Sequence, residues 1–146
     1  MDRREAILAR MLELAEGVAG VTTAKRNQLA IDDLALPAIL IFDGDETAQD
    51  SDPGRRLPTT PRRVDMHPVI TILVEATGAT VGTTLNGFRA AYLKAMAQDE
   101  TLVGFTHDRV GFRYEGSTPV VQEGRAVEGA MQLNVSFTYI LKPAEL

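Results

Sequence analysis

The sequence predicts an α+β domain, a mainly antiparallel or mixed β-sheet with two α-helices packed on it. Two stretches space their apolar residues as a helix does, five others read as strands, and the strands cluster rather than alternate regularly with helices. With 146 residues and no internal repeat or domain-sized linker, residues 1–146 are expected to form a single domain around one core.

Residues 2 to 16 place Ile7, Leu8, Met11, Leu12, Leu14 and Ala15 on one broad face, with Arg4, Glu5, Arg10, Glu13 and Glu16 opposite. That is an amphipathic helix. Asp2 can cap it, Glu5 stands where a capping box places its acid, and Gly17 and Gly20 supply the stop. Val21 to Arg26 is a modest strand. Leu36 to Phe42 is a continuous apolar run entered through Pro37 and left through Asp43-Gly44, the pattern of a strand covered on both faces. From Val64 to Ala76 every even position is apolar, and Pro68 points to a sheet edge or a bulge.

The spacing then changes to Val81, Leu85, Phe88, Tyr92, Ala95 and Met96, predicting a second helix over 79–98; Asn86-Gly87 inside it is outweighed as a hairpin signal by the length of the stripe. Val110, Phe112 and Tyr114 alternate in a short strand bounded by Gly116. The final strand alternates from Val127 to Leu141 with its odd positions apolar; its length predicts a bulge at Gly129 or two collinear strands.

Composition excludes whole classes. Apolar residues make up 45% and charged residues 24%, the proportions of a folded globular chain rather than a disordered or fibrous one. Without cysteine there are no disulfides, thiolate zinc sites or cysteine nucleophiles. The charged opening and the lack of an apolar run near ~18 residues predict a cytoplasmic protein without a membrane partner. A net charge of −5 argues against wrapping nucleic acid by global attraction.

Signatures of catalysis are weak. Asp43, Asp45, Glu46, Asp50 and Asp52 follow a buried strand, yet counting from Asp43 puts Thr47, Ala48 and Gly54 where a calcium loop needs a ligand, a glycine and a glutamate. His67 and His107 lack metal-ligand spacing. Asp65 and His67 share a strand face, as a general base and its orienter would. No serine elbow, phosphate loop or dinucleotide fingerprint accompanies them, and no cofactor is expected.

The stretch 43–63 is read as a long loop with only Ala48 and Leu57 to bury. Its charge is divided: Asp45, Glu46, Asp50 and Asp52 come first, then Arg55, Arg56, Arg62 and Arg63 among prolines. Loops of this length are either mobile or functional, so it is a hairpin tip or an arm that orders against a partner. Those eight residues are the candidate interface.

At this point the chain resembles the tail terminator (tail completion) proteins of long-tailed phages and gene-transfer particles. The likeness lies in an opening amphipathic helix, the strand Leu36-Pro37-Ala38-Ile39-Leu40-Ile41, the acidic Asp43-Gly44-Asp45-Glu46, a long strand, a helix, and the closing Leu133-Asn134-Val135-Ser136-Phe137-Thr138-Tyr139-Ile140. The Arg-Pro half of 43–63 has no residue-by-residue match. The resemblance implies a non-enzymatic virion protein at the head-proximal end of the tail, assembled in the host cytoplasm. It implies a homohexameric ring that caps the tail tube, ends its polymerisation and offers a surface to the head connector, with DNA passing through the lumen without specific binding. The competing reading is a small metal-dependent hydrolase using Asp43, Asp45 and His67; another adaptor of the head–tail connector is the third.

Overall fold

In the computed structural model, residues 1–49, 57–76, 78–121 and 128–146 are described. The chain runs through helix α1 (Arg3–Glu16), strands β1 (Thr23–Arg26), β2 (Ala38–Ala48) and β3 (Arg62–Glu75), helices α2 (Val81–Gln98) and α3 (Glu100–Phe105), then β4 (Phe112–Val121) and β5 (Glu128–Leu141). The strands form one five-stranded sheet in the order β1-β2-β3-β5-β4. β1 pairs with β2 in parallel and every other neighbour is antiparallel. The fold class is the expected α+β, with α3 as a short addition to the two long helices.

The helices pack on one face of the sheet. Ile7, Leu8, Met11 and Ala15 of α1 and Leu85, Tyr92 and Met96 of α2 join even positions of β3 and odd positions of β5 in one core. Asp2 caps α1 by accepting from the Arg4 and Glu5 amides. The Asn86-Gly87 pair lies inside α2, where the apolar stripe decides the conformation over the local turn preference.

β2 is buried on both faces because its partners differ. Ile39 and Ile41 enter the helical core. Ala38 and Leu40 meet Leu73 and Ala130 on the other face, where Leu34 and Leu36 of the β1–β2 connection cover them. A parallel neighbour needs a crossover, and here the crossover doubles as the second apolar layer.

Three details depart from the expectation, and one choice between alternatives is decided. Residues 43–48 and 62–63 are strand, so the connection in 43–63 shrinks to 49–61. Of the two alternatives for Pro68 the bulge holds: Pro68 lies in the central strand β3, opposite a bulge in β2 where the register jumps between Phe42 and Asp45. Gly44 makes that bulge with φ +69°, and a Cβ there would come 1.8 Å from the His67 carbonyl oxygen. The bulge predicted in the last strand is instead in β4, between Tyr114 and Gly116, and β4 continues past Gly116. Gly129 is needed for a different reason. A Cβ on it would lie 2.1 Å from Val81 Cγ2, so its bare backbone lets the start of α2 approach the sheet.

Candidate functional site

The acidic end of β2 ties α1 to the sheet. Arg26 of β1 donates through Nε and Nη2 to both oxygens of Asp43 at 2.6 and 2.8 Å, and through Nη1 and Nη2 to Glu5 of α1 at 2.7 and 2.9 Å. Forked guanidinium–carboxylate pairs of this kind are the strong hydrogen bonds of a protein surface. The Arg26 hydrogen bonds hold both Asp43 and Glu5 below the usual carboxylate range. Arg4 reaches Glu46 Oε2 at 3.1 Å and the Gly44 carbonyl at 2.7 Å. The buried Tyr139 hydroxyl donates to the same Glu46 oxygen at 2.6 Å. Burial and the Glu46 charge push the Tyr139 hydroxyl up.

The sheet face away from the helices carries a polar network at the β3–β5–β4 side. Asp65 Oδ1 accepts from Thr138 Oγ1 at 2.5 Å and Arg113 Nη2 at 3.3 Å, and Oδ2 accepts from Gln49 Nε2 at 2.9 Å. Arg113 also donates to Thr138 Oγ1 and Ser136 Oγ, and Ser136 donates to Glu115 at 2.6 Å. Burial alone would raise the Asp65 carboxyl; the bonds from Thr138, Gln49 and Arg113 outweigh it and hold the group low. Ser136 is fully buried and Thr138 is 7% exposed, so this half of the face is closed by hydrogen bonds rather than by apolar cover.

Beside the network an open groove of about 560 Å³ is lined by Asp45, Thr47, His67, Glu115 and Asn134. Asp45 sits opposite His67 in register. Asp43, the third residue of the hydrolase reading, does not line the groove; its carboxylate is held by Arg26. Asp65 and His67 share the strand face as expected, but both Asp65 oxygens are occupied by the network. Among the described residues no three histidine, aspartate or glutamate side chains come together in a way that could hold a metal ion. A smaller cavity, about 240 Å³, lies between Arg3, Phe105, His107 and Lys142.

The eight candidate interface residues are distributed unevenly. Asp45 lines the groove, Glu46 is engaged by Arg4 and Tyr139, and Arg62 and Arg63 open β3, where Arg62 Nη2 reaches the Gln49 carbonyl at 3.1 Å. Asp50, Asp52, Arg55 and Arg56 lie outside the described residues. Sequence reasoning missed Arg4, Arg26 and Arg113, which organise the ties and the network. The available signal was the bias of the cations toward arginine, twelve against three lysines, which favours forked pairing.

No family model matches the chain, and no curated protein does. Among solved structures, it is similar to a chain described as "Virion of native gene transfer agent (GTA) particle". The likeness has a TM-score of 0.58, 16% sequence identity and covers 94% of both chains. The fold is shared over that span.

Proposed function

We propose that this chain is a structural protein of a phage-like particle, a tail terminator whose ring caps the tail tube, ends its polymerisation and presents the head-joining surface. The observation that carries this reading is the fold held in common with a gene transfer agent virion chain over 94% of both chains at a TM-score of 0.58. The use of the acidic segment supports it as well: Asp43 and Glu46 serve as internal ties rather than as open ligands. In this reading six copies form the ring, its partners are the tail tube protein and the head connector, and it performs no catalysis. DNA passes through the lumen without specific binding, to which a net charge of −5 is suited because it offers phosphates no general attraction. Asp45, Arg62 and Arg63, with the segment between, contribute to the contact surface.

Removal of this chain from a particle-producing strain tests the proposal. Tails of uncontrolled length that fail to join heads, corrected by supplying the chain in trans, are the expected result. Tails of normal length carrying heads would overturn it.

A further inference from the structure

The connection that follows β1, whose own strand carries Lys25 and Arg26, and the region beside β4 differ in charge, and each carries exposed apolar side chains. After the edge strand β1 comes the segment 28–33, where Leu29 is 86% and Ile31 37% exposed and Asp32 and Asp33 are exposed. No cation stands between Asn27 and Pro37. At the opposite edge, beside β4, Val110 is 64% and Tyr114 42% exposed. Arg89 of α2 stacks on the Tyr114 ring at 5.1 Å and donates to its hydroxyl at 3.1 and 3.2 Å. Arg109 is exposed next to Val110, and α2 contains Arg89 and Lys94 with no acid from Ala76 to Gln98. The acids nearby are Asp108, 3.3 Å from His107, and Glu115, bonded to Ser136.

We infer that these edges meet between two copies of the chain: the Leu29–Asp33 segment of one docks on the Val110–Tyr114 edge of the next. Leu29 and Ile31 cover Val110 and Tyr114, while Asp32 and Asp33 face Arg89 and Arg109. Like-with-like docking is disfavoured, because segment on segment gathers aspartates and edge on edge gathers arginines. Two different patches make a heterologous contact, which repeats around a ring when the rotation closes. Main-chain pairing along β4 is interrupted by the bulge at Gly116 and by Pro119, which lacks an N–H, so side chains carry the contact. The inference rests on the proposed function only for closure into a ring.

The chain has no cysteine, so single cysteines report the contact cleanly, and both sites are exposed enough to leave folding intact. Leu29→Cys and Val110→Cys variants, mixed and treated with a short bis-maleimide, are expected to give a covalent heterodimer, while each alone gives none. Both cysteines in one chain are expected to give a ladder of multimers. Asp32→Lys with Asp33→Lys on the Leu29→Cys variant should weaken the heterodimer about tenfold, and Arg89→Glu with Arg109→Glu on its mate should restore it; melting curves of every variant confirm folding. Abundant dimers of Leu29→Cys alone, no heterodimer even in concentrated protein, or indifference to the charge reversal would each overturn the contact. Immunogold labelling of particles separates the two ideas. A ladder from protein that never enters particles overturns the functional reading and leaves the contact standing, and labelled particles without the ladder do the reverse.

Discussion

Single residues set local geometry in ways that depend on what lies across from them. Gly44 adopts φ +69° and leaves no room for a Cβ against the His67 carbonyl, so Gly44→Ala is expected to lose about 1–3 kcal/mol from backbone conformation alone, and more from the clash. Phe137, fully buried and edge-on to Phe112 at 6.4 Å, should cost about 3–5 kcal/mol on truncation to alanine. From alternation alone Thr138→Ala is expected to cost far less, but Thr138 binds both Asp65 and Arg113. Its loss takes one of three bonds from a partly buried carboxylate that keeps Gln49 and Arg113, and a cost of about 1–3 kcal/mol is expected instead. Urea midpoints compare these variants. Asp65 also carries a pH signature. Its folded pKa is depressed, so its contribution is fully present above the unfolded value near 3.8 and is lost as pH falls through the folded value. Asp65→Asn should therefore flatten the acid limb of the stability curve measured from pH 5 downward; an acid limb unchanged from the parent would mean the network does not hold this charge.

Elements are joined by paired charges and by one close approach. Asp99 ends α2, caps α3 by accepting from the Leu102 amide at 2.7 Å and accepts twice from Arg10 of α1 at 2.6 and 2.9 Å. The Arg10 bonds hold its carboxyl low. Asp99→Ala removes a cap worth about 1–2 kcal/mol together with the link between three helices, and thermal unfolding should register the sum. Gly129 and Val81 make a pair of another kind. Gly129→Ala pushes its new methyl into the Val81 side chain, and Val81→Ala in the same chain should recover part of the lost stability. No such suppressor exists for Gly44→Ala, whose obstacle is a backbone carbonyl.

At the scale of the whole molecule, one sheet face is covered by helices and the other by a crossover loop, a polar network and an open groove, which leaves two edges and a polar face for neighbours. Arg55, Arg56, Arg62 and Arg63 together test the proposed arm. Changing all four to glutamate should abolish the joining of tails to heads in a complementation assay. The expected shift in melting temperature is small, since Arg63 is exposed, a surface charge contributes on the order of 0–1 kcal/mol, and Arg62 gives up one bond to the Gln49 carbonyl. A collapse in melting temperature would assign these arginines to the fold instead. The isolated chain is expected to associate weakly when dilute and to form rings on tube ends, as read by light scattering; a tight dimer unchanged by tail tube would contradict the ring.

Periodicity was enough to locate both long helices, the inward face of β3 and β5, and the double cover of residues 38–41, because side-chain spacing and burial are set by the same geometry. Local sequence was not enough where the outcome depended on a partner distant in the chain. Residues 43–48 read as loop because they are charged, yet they are strand: the bulge at Gly44 admits Pro68 opposite, and Arg26, Arg4 and Tyr139 satisfy the carboxylates. Gly116 reads as a strand end and Gly129 as a bulge, since a glycine signals freedom without saying what uses it. Only the packing of Val81 against Gly129 and the register of β4 on β5 decide. The groove's Asp45 and His67 were each visible, but their separation from Asp43 is tertiary, produced by Arg26 holding that carboxylate against α1. The separation of the Asp32-Asp33 segment from Arg89 and Arg109 is likewise tertiary, since strand order places β1 and β4 at opposite edges.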